Sequence, residues 1–187
     1  ILSNTESALA PHVDEPFRSH PPSLFLLHCL KASPDDGGAS VLVDGFKLGQ
    51  TLKSQDSESF TTLCNIPIPH HRRRDGHFEH YAQTTVFKLD AEGEIMGFRF
   101  AERSAAPLVL PEKLIHRIYS ARRAMLNLAY DPEYQVRIRL SPGDALLIDN
   151  YRVMHGRETF SGQRHLRQCN LDRDETLSRY RLLCRKT

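Results

Sequence analysis

Apolar residues fall mostly into short runs separated by turn-forming residues, the pattern of a strand-rich chain. Leu24–Lys31 (LFLLHCLK) reads as a buried strand, and Ser40–Asp44 (SVLVD) as a β-branched one. The turn-rich segment 33–38 (SPDDGG) separates them, so the two runs predict a hairpin. Segments 83–89 and 95–100, around Asp90-Ala91-Glu92-Gly93, predict a second hairpin. Segments 46–55 and 57–63 read as short helices, whereas 69–77 (PHHRRRDGH) has no apolar period and reads as an irregular loop. The best helix runs over 111–128, with Pro111 in its first turn and Leu114, Ile118, Ala121, Met125 and Leu128 on one stripe. His116, Arg117, Arg122 and Arg123 fall outside that stripe and predict a solvated face. Strands return at 134–140, Ala145–Asp149 and 164–171, and Asp172 is placed to cap a terminal helix ending near Cys184. Many short strands with one substantial helix predict a mainly β chain, a double-sheet roll with helices packed outside. A roll of this kind has a mouth between its sheets.

Composition narrows the class without changing that picture. A chain of 187 residues, 40% hydrophobic and 26% charged, predicts a single domain over 1–187 with a core of its own. A net charge of +2 gives no reason to expect a nucleic-acid partner. No apolar run approaches the ~20 residues that span a bilayer, so no membrane partner is expected either. Cys29, Cys64, Cys169 and Cys184 are widely spread without a Cys-x-x-Cys, which predicts reduced, buried thiols and an intracellular, cytoplasmic setting. Cys29 and Cys169 in particular read as small core residues. The chain starts at Ile1 and its chemistry begins early, so we expect an N-terminal portion to be lacking.

That chemistry starts at His12-Val13-Asp14. Two residues apart in an extended segment, the imidazole and the carboxylate point to the same side. They make two of the three ligands of a facial triad, and His155, in a strand-like run far along the chain, supplies the third. Beyond it Arg164 offers a planar guanidinium suited to bidentate recognition of a carboxylate. Asn150 is placed to orient the ligands. These residues alone leave three readings open: an oxygenase, a zinc hydrolase using two His and one carboxylate, and a non-catalytic metal-binding roll. His70, His71, His77 and His80 lack Cys partners and tetrahedral-site spacing, and with Arg72-Arg73-Arg74 they read as a solvated loop.

His12-Val13-Asp14, Pro21-Pro22, Leu27-His28-Cys29, Gly37-Gly38, Val43-Asp44-Gly45-Phe46, Pro142-Gly143-Asp144, Asp149-Asn150-Tyr151-Arg152, His155-Gly156-Arg157 and Arg164 occur in that order. In this the sequence resembles the γ-butyrobetaine and trimethyllysine hydroxylase branch of the taurine dioxygenase-like Fe(II)/2-oxoglutarate-dependent oxygenases. The resemblance implies a double-stranded β-helix (jelly-roll) core with flanking α-helices, and Fe(II) held by His12, Asp14 and His155. It further implies 2-oxoglutarate as cosubstrate, with Arg164 on its distal carboxylate and Leu27 nearby, and O2 as the third participant. The implied reaction hydroxylates a small amine-containing molecule while 2-oxoglutarate is converted to succinate and CO2. A mitochondrial location or a homodimer would be compatible with it. Relatives hold a trimethylammonium group in an aromatic cage, but the chain has no Trp and carries Asn170 where a cage Tyr is usual. Arg103, in the connector after the second hairpin, matches a position that reads the anion in a branch acting on aminoalkyl-phosphonates.

Overall fold

The computed structural model describes residues 5–185. In chain order come β1 (Leu9–His12), β2 (Leu24–Lys31), β3 (Ser40–Asp44), α1 (Gly45–Gln55), α2 (Ser57–Asn65), β4 (Ile68–Arg74) and β5 (Phe78–Thr84). Then follow β6 (Phe87–Leu89), β7 (Ile95–Phe98), a 3-10 turn (Glu102–Ser104), α3 (Glu112–Tyr130) and a second 3-10 turn (Pro132–Tyr134). β8 (Gln135–Ile138), β9 (Ala145–Asp149), β10 (Val153–Arg157), β11 (His165–Leu171) and α4 (Arg173–Cys184) complete the chain.

Two antiparallel sheets carry the site, one in the order β1-β10-β3-β8 and the other β11-β2-β9. Alternation along β10 divides the interior. Met154 joins Val43 on the face that packs against Leu48 and Leu52 of α1, Phe60 and Leu63 of α2, and Ile118 and Met125 of α3. Each such side chain, fully buried, contributes roughly 1.5–3 kcal/mol, so this helix-covered face holds the main core. His155, one residue on, lies with its ring 4.2 Å from that of Phe25 of the other sheet. The sheets thus face each other across His155.

Gly156 makes the β1–β10 pairing possible, because a Cβ there would meet the Leu9 carbonyl oxygen at 2.6 Å. The resulting register sets His12 opposite His155. Helix starts follow the sequence: Asp44, Asp56 and Asp172 each accept backbone N–H bonds at the N-termini of α1, α2 and α4.

Four expectations need correction. Leu24–Lys31 and Ser40–Asp44 form no hairpin; they lie in different sheets. The intervening turn is tied to the β10–β11 connection, Gly38 donating to the Thr159 carbonyl at 2.9 Å, and so crosses between the sheets. Segment 69–77 is no loop but most of the β4–β5 ribbon, turned by Gly76 at φ 70°. Only Ile68, Pro69 and His70 at its base are buried in β4, so its outer half carries no apolar alternation to read. Arg122 is buried, not solvated: it pairs with Glu102 at 2.5 Å and stacks over Phe100 and Tyr119. Cys29 is buried as expected, but Cys169 and Cys184 are exposed rather than core residues. The hairpin at 83–100 is present as β6–β7. Among the described residues no helix is long and apolar enough to cross a membrane.

Candidate functional site

β1 ends at His12, and the chain stays extended long enough to place Asp14 beside it. Asn150 fixes that position: its side-chain oxygen accepts from the Asp14 N–H at 2.7 Å, and its amide donates to the Asp14 and Pro22 carbonyls at 3.0 Å each. The amide that follows β9 therefore clamps the backbone of a residue far away in sequence. His12 Nδ1 donates to the Ala10 carbonyl at 2.8 Å, which leaves Nε2 with the lone pair.

Ligand atoms of His12, Asp14 and His155 all lie within 4.8 Å of one another. Asp14 Oδ1 is 3.6 Å from His12 Nε2 and 3.7 Å from His155 Nε2. These gaps are long for hydrogen bonds but suit donors sharing one ion at about 2.0–2.2 Å each. The electrostatics agree. Burial, with His12 and Arg103 adding to it against Asp14, pushes the His155 imidazole down to about 3, so it is neutral at physiological pH. Burial alone would raise the Asp14 carboxyl; contact with His12, the two imidazoles and the Gln168 amide together bring it down to about 2. Neutral imidazoles and an ionised carboxylate are what a divalent cation requires of its ligands.

The triad sits in the wall of a cavity of about 860 Å³ between the sheets. Of the other residues expected to serve the site, Leu27, Arg103, Arg164 and Asn170 also line it, while Asn150 stands behind Asp14. Arg164 donates to the Gly38 carbonyl at 3.2 Å and lies over the Phe160 ring at 5.5 Å. Gly38, at φ 77°, is needed there, since a Cβ would approach the Arg164 side chain to 3.2 Å. Arg103 donates to His12 Nε2 at 2.8 Å. Asn170 accepts from Gln168 Nε2 at 2.9 Å, and the same amide donates to Asp14 Oδ2 at 2.7 Å.

Residues 2–170 match the family described as taurine catabolism dioxygenase TauD, TfdA family. The chain belongs to the TauD/TfdA family. Within it, the chain is 34% identical over 177 residues to the gamma-butyrobetaine dioxygenase of Pseudomonas sp. (strain AK-1), an alignment covering 93% of this chain and 46% of that protein. It is 32% identical over 190 residues to the mitochondrial trimethyllysine dioxygenase of Mus musculus, covering 96% of this chain and 44% of that one. The chain thus spans less than half the length of these relatives. Among solved structures it is similar to asparagine oxygenase in complex with Fe(II), 2S,3S-3-hydroxyasparagine and succinate. There the TM-score is 0.71 at 19% identity, covering 89% of this chain and 50% of that one. It is also similar to the non-heme iron oxygenase OrfP in complex with Fe and alpha-ketoglutaric acid, with TM-score 0.67 at 19% identity over 94% of this chain and 53% of that one.

Gln168 and Arg72 are among the lining residues that the sequence reading did not assign to the site. Gln168 stands midway between Leu166 and Asn170, which also line the cavity, so counting by two along the last strand finds it. Arg72 lines the cavity from β4 and lay concealed in what looked like a solvated basic loop.

Proposed function

We propose that this chain carries the catalytic site of an Fe(II)/2-oxoglutarate-dependent dioxygenase that hydroxylates a small amine-containing substrate. The convergence of His12, Asp14 and His155 on one point of the cavity wall, with Arg164 in the same cavity, carries this reading. The similarity to gamma-butyrobetaine and trimethyllysine dioxygenases, and to oxygenases solved with iron and alpha-ketoglutaric acid, supports it. We take the fold as a double-stranded β-helix, because the chain passes between the two sheets at β2–β3, β8–β9, β9–β10 and β10–β11.

The donor set fits ferrous iron: two imidazole nitrogens and one carboxylate leave the remaining positions to small molecules. Bound there with 2-oxoglutarate and O2, the iron supplies the oxidative chemistry, giving hydroxylated substrate, succinate and CO2. The chain's own residues do the rest. Ala10 and Asn150 hold His12 and Asp14 in place, and Gln168 keeps the second carboxylate oxygen engaged. The Arg164 guanidinium, held by Gly38 and the Phe160 ring, is assigned to the distal carboxylate of 2-oxoglutarate. Leu27 and Phe25 supply apolar wall that keeps water from the reacting region. A zinc hydrolase would require a general base; of the two carboxylates lining the cavity, Asp14 serves as a ligand and Glu15 is paired with Arg18.

Succinate release from 2-oxoglutarate, measured with Fe(II) across betaines, trimethyllysine and aminoalkyl-phosphonates, tests the reading. Stimulated release with one of these panels is expected. Zinc-dependent hydrolysis without any 2-oxoglutarate turnover would overturn it.

A further inference from the structure

The three triad side chains are held by different parts of the fold. His12 ends β1 and His155 stands opposite it in β10, so the ladder of one sheet fixes both imidazoles. Asp14 lies two residues beyond β1 and outside that ladder. Directly after it the chain turns at Glu15, whose φ of 52° lies in the left-handed region that a residue with a side chain adopts only at a cost. The carboxylate is held instead by amides from the facing sheet. Asn150, which follows β9, hydrogen-bonds its backbone, and Gln168 of β11 its side chain.

The two oxygens of that carboxylate face different groups. Oδ1 faces the imidazoles, 3.6 Å from His12 Nε2 and 3.7 Å from His155 Nε2. Oδ2 accepts from Gln168 Nε2 at 2.7 Å. An ionised carboxylate only accepts, so it fixes the Gln168 amide with its nitrogen toward Asp14. The second hydrogen of that nitrogen goes to Asn170 Oδ1 at 2.9 Å. Both donors of the Gln168 amide are thus used, one on the ligand and one on Asn170. The register sets Gln168 beside Leu27 and Asn170 beside Phe25, two residues of the cavity wall, so strand alternation aims the pair inward. Both amides are exposed, and the hydrophobic core contains neither.

Resting on the dioxygenase reading above, we infer that Gln168, backed by Asn170, forms a positioning pair that reserves Oδ2 of Asp14 and so confines this ligand to one oxygen. A carboxylate ligates a cation through one oxygen or through both. Bound through both, it would occupy one of the positions that three single-atom donors leave to small molecules. With Oδ2 engaged by Gln168, Asp14 contributes Oδ1 alone and those positions stay open. The resemblance gives position 170 to a substrate cage; in this chain Asn170 serves the metal ligand, through Gln168.

Calorimetric titration of the protein with Mn(II), and the visible spectrum of its Co(II) form, test the inference. Gln168→Met keeps the side chain's length and removes its donors. It weakens Mn(II) binding about tenfold or more, the cost of an outer-shell partner. Its Co(II) band shifts, because the freed Oδ2 makes a second bond to the ion. Asn170→Ala weakens Mn(II) binding about threefold, the worth of one neutral hydrogen bond. Asn170→Asp keeps the acceptor and binds at least as tightly as the parent. The double variant Gln168→Met/Asn170→Ala binds no more weakly than Gln168→Met alone, because Asn170 acts through Gln168. Urea midpoints of the metal-free variants stay at the parent's, as exposed positions allow and a structural role would not. Parent affinity with an unshifted Co(II) band in Gln168→Met overturns the inference. So do unchanged binding in Asn170→Ala, losses that add in the double variant, and midpoints that fall in step with affinity. Failure of the parent to bind either ion overturns the shared metal site, and with it the dioxygenase reading as well.

Discussion

Arg164 and Arg72, which both line the cavity, are built into the fold differently. Arg164 leads into β11, in one of the two site-bearing sheets, and is seated by the Gly38 carbonyl and the Phe160 ring. Arg72 stands on the β4–β5 ribbon, which pairs with neither of the two site-bearing sheets and leaves its outer half exposed. A site on paired strands is held within narrow limits, whereas one on a protruding ribbon tolerates change. The sheets therefore fix the part of the site that every turnover of such chemistry requires.

The largest expected effect lies at the triad itself. Asp14→Ala should weaken Mn(II) binding by a hundredfold or more, beyond the roughly 10–100-fold cost of losing an outer-shell partner. Calorimetry checks this, and near-normal affinity would mean that the three side chains do not share an ion. Arg164→Ala comes next: loss of a charge-assisted partner to a buried carboxylate costs on the order of 2–5 kcal/mol. The 2-oxoglutarate Kd should rise about thirtyfold at the least. Equal losses of 2-oxoglutarate affinity in Arg164→Ala and Arg72→Gln would erase the distinction between the two arginines.

Asn150→Ala separates positioning from ligation. It orphans the Asp14 N–H and two carbonyls, so about 1–3 kcal/mol of stability should go. Metal affinity should fall about 10–100-fold while the ligands stay in place. Urea unfolding and metal titration read these two effects independently.

The smallest effect concerns the base of the ribbon. His70 is buried, bonded to Ser104 Oγ at 3.0 Å, and pushed down to about 4, mainly by burial and further by Arg99 and Arg122. A histidine depressed in this way stays neutral in the fold while the unfolded chain takes up a proton below about 6.5. Its contribution is therefore intact above pH 6.5 and is lost as pH falls from 6.5 toward 4. Between pH 7.5 and 5 the parent should lose on the order of 2 kcal/mol more stability than His70→Asn. Parallel urea midpoints in the two proteins would remove His70 from the account.

The same contrast explains what the sequence disclosed. His12-x-Asp14 and the run to His155 were legible because strand alternation is local, and each half lies in a strand or next to one. Gln168 was equally open to counting by two from Asn170. Arg72 was not, because a ribbon exposed along its outer half carries no apolar rhythm and three consecutive arginines look alike. The crossing from β2 to β3 depends on Gly38 bonding to Thr159, a contact no local pattern announces. Arg122 was assigned to solvent because its burial depends on Glu102 and Phe100, which tertiary folding brings to it. Long-range contacts, not propensity, made each of these differences.

Anaerobic addition of Fe(II) and 2-oxoglutarate, followed in the visible spectrum, tests the central claim most directly. The parent protein should develop a weak charge-transfer band, lost in both Asp14→Ala and His155→Ala. A band of normal intensity in His155→Ala, or tight zinc binding with no band in the parent, would contradict the shared iron site on which the whole account stands.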